Sequence, residues 1–537
     1  MNKQIAKYNF NRQELFWLIA IVCTIIFLFA FNLYKLDDFI IPDAVVERVF
    51  AKTMWREKSL FPKSWYHSTE PQNFRLTVIT AVLWGITGNM QIAHSVALLF
   101  VTVCIAITFY YMLSGLKVVR LSTILMGIEL LIAGFGWMFS AWYFIIDGRY
   151  AFIMISMFIL SGFLLRAYHK KLHLRDRFLT ILIFGILGII GPRSLLYTLF
   201  PFFLVCFCIA IHEHIKQQKK IIVSGSVLAE IILPISSNII GLFLYIIIFS
   251  HSDKVPVDTA NAAWVSAGDF IKNIADSLSN CLQIVGIDGS AKLLSIHGVD
   301  ILCKIGLLAA TIYFAVYFQN YFQEDEKFLI LQYMSSSIIT IFFCSALSIT
   351  GNGQAQNQAW YYYSVVYTVV ITVVVLIGHI SNIKIINKLL QLYLIIAIVI
   401  NLYHVYIMRL NQDNNVSEKK VAQYLIENNY HYGYAPYNSA YMIQAASQEH
   451  VEMVSLISDF AIENADMVDI WYFNLDKNIV QRAQNSSPYI VILTDTEESK
   501  MLENNNSILY AKANNKLAEI DNYNVYTFSQ LPFSYAQ

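Results

Sequence analysis

Apolar residues gather in long runs over most of this chain, and charged residues lie mainly in the segments between the runs. A helix needs about 20 apolar residues to cross a hydrocarbon layer of about 30 Å. Eleven runs are candidates for such spans: 15–34, 91–113, 121–146, 150–166, 178–191, 195–213, 221–249, 298–318, 327–349, 360–381 and 387–410. A twelfth stretch, from Leu76 to Gly88, is short and adjoins Arg75. Eleven spans place the two chain ends on opposite sides of a membrane.

Positive charge in the short loops indicates the orientation, because lysine and arginine are retained on the cytoplasmic side. With eleven spans, the short basic loops share one face; they contain Lys3, Lys7, Arg12, Lys117, Arg120, Arg166, Lys170, Lys171, Arg175, Arg177, Lys216, Lys219, Lys220, Lys327, Lys384 and Lys388. Counting Leu76 to Gly88 as a further span would move the loop from Arg166 to Arg177 outside. We therefore expect a cytoplasmic N-terminus and an extracytoplasmic C-terminal segment.

Composition supports a membrane protein with one soluble part. The chain is 57% hydrophobic and 14% charged, which is too apolar for a water-exposed surface. From Asn411 onward there are 16 acidic and 7 basic residues, a net charge of −9, whereas the chain as a whole is neutral. The sequence predicts an α-helical polytopic membrane domain over 1–410, with external loops at 35–75 and 250–297, and a small extracytoplasmic α/β domain over 411–537.

Local periodicity adds detail to the external segments. In the first loop, Val45, Val46, Val49, Phe50 and Met54 recur at helical spacing between charged residues, as in a helix that lies flat on a membrane. The tail alternates a helical stretch with short β-type runs and polar turns; the helix is predicted over 417–427 and the strands over 451–457, 470–474 and 489–494.

Carboxylates close to the ends of predicted spans are the clearest candidates for chemistry. Asp37, Asp38 and Asp43 follow the first span, and Asp147 ends the third. A carboxylate at the lipid boundary is costly to desolvate without a partner, so such residues are often functional. Simple solvation by water is the alternative for each of them.

Several short motifs resemble membrane glycosyltransferases of the GT-C fold. In the first loop these are Asp43, Ala51-Lys52, Pro62 and Glu70-Pro71, followed by a short apolar helix. A basic turn over 117–120 and the acidic Asp147 occupy the next places in that family's pattern. The stretches GPRSLLYTLFPFF, from residue 191, and YGYAPYNSAYMIQAAS, from residue 432, resemble a further external turn and part of the external domain of bacterial members.

The resemblance implies a polyprenyl-phosphate sugar as donor and a base that takes a proton from the acceptor hydroxyl. It assigns the catalytic roles to Asp43, as the base, and to Asp147, which would orient the acceptor or share a cation. Boundary arginines would bind the lipid phosphate, because a guanidinium forms paired hydrogen bonds with phosphate; they are Arg75, Arg149 and Arg193. The same arginines are also suited to anchoring helices at the headgroups.

The cofactor stays unassigned at this point. Ala44 follows Asp43 where the family has a second acidic residue, so one expected metal ligand is missing. A divalent cation is therefore left open, and the metal-binding residues are unknown.

Two deeper carboxylates favour a different class of function. Glu129 and Glu230 lie inside apolar runs, the second of them four residues before Pro234. Proton-coupled carriers use buried ionisable groups beside helix breaks, whereas a structural carboxylate would be hydrogen-bonded between helices. A transporter or flippase of lipid-linked glycans is thus the main alternative, and a non-catalytic assembly protein is a third.

The leading hypothesis is an inverting, hexosyltransferase-like enzyme of the prokaryotic cell membrane. It would move a monosaccharide from a polyprenyl-phosphate donor to a cell-envelope glycan or similar acceptor, and nucleic acid is not expected as a partner. Tyrosines of the tail could stack on sugar rings or pack in a small core; they are Tyr430, Tyr432, Tyr434, Tyr437 and Tyr441.

Overall fold

The computed structural model describes most of the chain. The described residues are 10–66, 76–117, 119–146, 148, 150–191, 198–205, 225–249, 263–289, 292, 294–317, 322–348, 359–380, 384–458, 468–470, 475–494 and 516–529. They form two compact units. We call the first the helical unit (1–30, 99–247 and 258–410) and the second the mixed unit (31–98, 248–257 and 411–537).

Long apolar helices make up the helical unit, and α1 and α4 contribute residues to both units. In chain order they are α1 (Arg12–Phe39), α4 (Met90–Leu113), α5 (Leu121–Ala133), α6 (Trp137–Ser140), α7 (Ala151–Tyr168), α8 (Leu174–Ile190), α9 (Gly225–Phe249), α10 (Ala267–Val285), α11 (Ile296–Tyr317), α12 (Glu324–Ala346), α13 (Tyr363–Ile380) and α14 (Lys384–Val405). A two-residue strand β2 (Ala263–Trp264) pairs with β3 (Leu347–Ser348).

The helices confirm a multi-pass membrane protein. Within the described ranges, eight helices are long and apolar enough to cross a membrane, and a ninth span is obtained if one bent pair is counted. The predicted run at 178–191 corresponds to α8, of 17 residues, and most of the run at 195–213 lies outside the described residues. The short stretch after residue 76 forms α3 (Thr77–Thr87), which has only 11 residues.

The predicted span 121–146 is broken rather than straight. Helix α5 ends at Gly134, and the chain bends by 95° before α6, which continues as a π-helix over Ala141–Ile145. A Cβ on Gly136 would lie 2.4 Å from the Cα of Gly286, so a side chain cannot be accommodated at this crossing without moving backbone. The break therefore allows two backbone segments to approach each other more closely than any larger residue would permit.

The mixed unit contains the first loop and the C-terminal segment. Its first part holds α2 (Pro42–Glu57), β1 (Trp65–Tyr66) and α3, and its last part holds α15 (Val416–Glu427), β4 (Tyr432–Pro436), α16 (Tyr437–Ala446), β5 (Glu452–Ser458), β6 (Val468–Ile470), β7 (Leu475–Asp476), α17 (Lys477–Gln484), β8 (Tyr489–Thr494), β9 (Lys516–Ile520) and β10 (Tyr523–Phe528).

A six-stranded sheet organises the C-terminal segment, in the order β6-β5-β4-β8-β10-β9. Strand β4 runs parallel to β5 and β8, while β6, β9 and β10 pair in antiparallel fashion. Apolar residues of α15, α16 and the central strands form one core, including Leu425, Ile443 and Ile492. The α/β prediction for the tail is confirmed, with α15, β5 and β8 close to their predicted bounds. Most of the predicted strand at 470–474 lies outside the described residues. The sequence did not predict β4, β7, β9 and β10.

Candidate functional site

Helix α2 carries the predicted catalytic base on its first turn. Pro42 occupies the start of the helix, where its missing N–H group is not needed. Asp43 follows it, and a carboxylate is favourable there because the helix dipole is positive at the N-terminus. The sequence thus fixes both the start of α2 and the position of Asp43.

Helix α2 is embedded in protein on most of its surface. Ten of its 16 residues are buried, among them Glu47 and Arg48, which are 1% and 3% exposed. The predicted helix is confirmed, but two of its charged positions do not face water as the amphipathic pattern suggested. Close packing against α3 contributes to this burial, since a Cβ on Gly85 would lie 2.1 Å from the ring of Trp55.

Asp43 bonds to a tyrosine from the C-terminal segment. The hydroxyl of Tyr437 donates to Asp43 Oδ1 over 3.1 Å. Tyr437 opens α16 directly after β4, is 8% exposed, and meets the ring of Tyr441 edge to face at 4.9 Å. The sheet and its following helix therefore position a phenol against the carboxylate on α2.

Three further contacts hold α2 in place within the mixed unit. Arg48 Nη1 donates to Asp37 Oδ1 at 2.8 Å, and Lys52 Nζ donates to Glu449 Oε2 at 2.5 Å. Thr53 Oγ1 donates to Asp476 Oδ2 at 2.9 Å. Because these bonds join distant parts of the chain, the orientation of Asp43 is set by tertiary structure and not by α2 alone.

The other predicted site residues lie outside the described residues. This applies to Asp147, Arg75, Arg149 and Arg193. Their proximity to Asp43 and to one another stays a prediction. Asp43 is the one predicted site residue whose surroundings can be described.

The sequence did not indicate the surroundings of Tyr437, which lies against α2, or of Arg48, which lies within it. Tyr437 is one of five tyrosines predicted to stack on sugar rings or to pack in a small core, and Arg48 is one of the charged residues between the apolar positions of the first loop. Of that tyrosine group, Tyr434 and Tyr441 are each 1% exposed and belong to the interior. A signal for Tyr437 existed in its position after a strand and before a helix, where polar groups converge in α/β folds.

The described residues assign no ligands to the divalent cation that the sequence left open. Among them, no group of three or more histidine, cysteine, aspartate or glutamate side chains is arranged to hold a metal ion. Ala44 next to Asp43 cannot supply a ligand.

The two deep carboxylates that favoured a carrier each have a local partner in the helical unit. Thr24 Oγ1 donates to Glu129 Oε1 at 2.7 Å. Arg177 Nε donates to Glu230 Oε2 at 3.1 Å. Such bonds are what a structural carboxylate between helices requires.

The helical unit also contains a polar cavity of about 230 Å³, lined by Gly136, Trp137, Met138, Gln283, Gly286, Asp288, His297, Lys304, His404 and Arg409. The buried Lys304 Nζ donates to Asp300 Oδ2 at 2.6 Å and to Asn401 Oδ1 at 2.7 Å. His297 and His404 stack with ring centroids 3.9 Å apart. The buried Lys304 charge is therefore paired with the Asp300 carboxylate, as a buried charge requires.

Comparison with solved structures identifies the fold. The crystal structure of ArnT from Cupriavidus metallidurans, bound to undecaprenyl phosphate, superposes with a TM-score of 0.55 at 10% identity, covering 95% of this chain and 98% of that one. The apo state of the same protein gives a TM-score of 0.42 at 10% identity, covering 96% and 98% of the two chains. The apo oligosaccharyltransferase of Archaeoglobus fulgidus gives 0.44 at 12% identity, covering 92% and 70%.

The fold assignment rests on the first of these structures, and it confirms the expected GT-C fold for this chain. No protein-family model and no curated protein sequence matches it.

Proposed function

We propose that the protein is a membrane glycosyltransferase that uses a polyprenyl-phosphate sugar as donor. The observation that carries this proposal is the placement of Asp43 at the start of α2, hydrogen-bonded to Tyr437 at 3.1 Å. The shared fold supports it, since the ArnT structure holds undecaprenyl phosphate.

In the proposed reaction Asp43 is the general base. Its carboxylate takes the proton of an acceptor hydroxyl, whose oxygen then bonds to the anomeric carbon of the donor sugar. The bond between that carbon and the phosphate oxygen breaks, and the polyprenyl phosphate leaves with both electrons. A single displacement of this kind inverts the anomeric configuration, as expected for an inverting hexosyltransferase-like enzyme.

Residues outside the described ranges complete the proposal. Asp147 orients the acceptor, and Arg75, Arg149 and Arg193 stabilise the departing lipid phosphate through paired hydrogen bonds. The acceptor is a cell-envelope glycan or a similar molecule. The proposed topology has the N-terminus in the cytoplasm and the 411–537 domain outside, so that transfer takes place at the outer surface of the cell membrane.

The decisive experiment measures sugar transfer by Asp43→Asn in proteoliposomes supplied with a polyprenyl-phosphate monosaccharide. Loss of a general base lowers rates by roughly 10²- to 10⁴-fold, so we expect at least a hundredfold fall in kcat. Asp521→Asn is the matched control, because Asp521 forms an exposed ion pair with Lys420 in the C-terminal segment. Undiminished transfer by Asp43→Asn would remove Asp43 from the role of base.

Glycan transport is the second candidate, and one observation favours it. Glu129 is 2% exposed within the helical unit, and its Oε2 has no hydrogen-bond partner among the described residues. A carrier or flippase would need such a group, so Glu129→Gln would abolish transport while Asp43→Asn left it intact. The reverse pattern supports the transferase.

A further inference from the structure

A second cavity lies in the mixed unit beside α2. It has a volume of about 140 Å³ and is lined by Asp37, Arg48, Gly88, Asn89, Met90, Gln91, Ala445, Gln448, Glu449 and His450. A buried water occupies on the order of 10–15 Å³ on this scale. The space therefore fits several non-hydrogen atoms, which is the size range of one sugar ring. We refer to it as the Arg48 cavity.

Arg48 presents unused donors to this cavity. Its side chain is 3% exposed, and Nη1 donates to Asp37. Its Nε and Nη2 are buried and have no hydrogen-bond partner among the described residues. These two groups form the side edge of the guanidinium, where two parallel N–H bonds point the same way.

Glu449 offers an unused acceptor in the same cavity. Lys52 donates to its Oε2, whereas Oε1 is buried and has no hydrogen-bond partner in the described part of the chain. A buried polar atom without a hydrogen bond destabilises the protein, so a ligand that supplies the missing bonds is favoured. A complementary ligand would accept two hydrogen bonds from Arg48 and donate one to Glu449 Oε1.

Charge decides which kind of ligand fits. Arg48 is already neutralised by Asp37, and Glu449 by Lys52. No net positive charge is left over for a phosphate or carboxylate, and the free oxygen of Glu449 would repel either. Neighbouring hydroxyl groups of a sugar accept from the guanidinium edge and donate to the carboxylate without adding charge.

We propose that the Arg48 cavity binds one uncharged sugar ring of a glycan. The biological role of this site rests on the proposed glycosyltransferase function. Sugar binding itself does not require catalysis. The ring belongs either to the acceptor or to the lipid-linked donor, since both present the same hydroxyl chemistry.

Binding is tested on the full-length protein in nanodiscs by saturation-transfer difference NMR. The neutral probes are D-glucose, D-galactose, D-mannose and N-acetyl-D-glucosamine, and the anionic probes are D-glucuronate and inorganic phosphate. We expect at least one neutral sugar to bind in the absence of any donor. Addition of a polyprenyl-phosphate monosaccharide then separates the sources: displacement of the free sugar indicates the donor's ring, and retention indicates the acceptor's.

Arg48→Lys is the main variant, because lysine keeps the charge beside Asp37 but lacks the paired donors. It should weaken sugar binding about tenfold. Arg56→Lys is the matched control on the same helix, since Arg56 is 44% exposed and pairs with Glu452; it should leave the Kd unchanged. If Arg48→Lys folds poorly, Glu449→Gln replaces it as the test variant. This change replaces the unpaired carboxylate oxygen with an N–H donor, so it should weaken sugar binding while the Arg48–Asp37 pair stays intact.

The proposal is overturned if no neutral sugar binds, if only the anionic probes bind, or if both variants bind as tightly as the unmodified protein. The transferase proposal fails separately, through loss of transfer activity in the unmodified protein or retained activity in Asp43→Asn. If the protein binds a sugar but does not transfer one, the Arg48 cavity remains assigned as a sugar site and the proposed transferase reaction is refuted.

Discussion

The hydroxyl of Tyr437 donates to the carboxylate of Asp43 over 3.1 Å, although 394 positions separate the two residues. The bond joins the first turn of α2 to the first turn of α16. Tyr437 is therefore a positioning residue for the proposed base.

Tyr437→Phe tests that role. Loss of one hydrogen bond to a charged group corresponds to about 1.5 kcal/mol, so kcat for sugar transfer should fall roughly tenfold. The KM for the lipid-linked donor should stay unchanged, because the phenol does not bind the lipid phosphate. Tyr424→Phe on α15 is the control. A rise in KM with unchanged kcat would show that Tyr437 binds substrate instead.

Hydropathy and local periodicity were sufficient to predict the membrane class, the positions of most long helices, and α15 and β8. These features depend on residues close together in sequence. The burial of Arg48 could not be predicted, because the contacts that enclose α2 include Glu449, 397 positions away from Lys52. The break after Gly134 was equally hidden, since it depends on the approach of Gly286.

Strands β9 and β10, at one side of the tail's sheet, could not be predicted for a related reason. Strand β10 is buried at Tyr523, Val525 and Phe528, without strict alternation, and pairs with β8 and β9. Strand β9 has no buried residue and is held by its pairing with β10. A short polar strand of this kind has little signal of its own. The same holds for the candidate site. Asp43 could be predicted from its position directly after the first span, whereas its hydrogen-bond partner Tyr437 could not, because Tyr437 is distant in sequence.

Asp476→Ala should destabilise the mixed unit. Asp476 is 2% exposed, caps α17 by accepting from the backbone N–H of Asn478 at 2.9 Å, and accepts from Thr53 at the same distance. Loss of a helix cap together with a buried bond should lower the free energy of unfolding by about 2 kcal/mol. Thermal unfolding in nanodiscs measures this. Thr53→Val removes only the second bond and should cost about half as much; equal losses would mean that the cap contributes nothing.

The pair of Lys420 and Asp521 should make stability depend on pH at the acid end. Lys420 and Ser417 both donate to the Asp521 carboxylate at 2.9 Å and hold its pKa below the ordinary value. A group whose pKa is lowered by folding stabilises the fold above its unfolded pKa of about 3.9, and that stabilisation is lost as the pH falls.

Asp521→Asn should therefore lower Tm slightly at pH 7 and have less effect at pH 3, as measured by thermal scans at both values. The change should be small because the pair is exposed. Glu427→Gln is the control, since Glu427 accepts from the neutral Gln423. An equal effect of Asp521→Asn at both pH values would contradict an ionic origin.

Gly136→Ala should disrupt the break in the helical unit. A Cβ at this position would lie 2.4 Å from the Cα and 2.8 Å from the N of Gly286, and backbone atoms cannot move aside as a side-chain tip can. Overpacking of this kind costs typically 1–3 kcal/mol. The variant should have a Tm several degrees lower and a looser cavity beside Trp137, which tryptophan fluorescence can report. Gly289→Ala is the matched control, because no atom of the described residues lies within 4 Å of a Cβ built there. Equal Tm values for the two variants would show that the crossing of Gly136 and Gly286 tolerates a methyl group, and the close approach would then not be the reason for glycine at the bend.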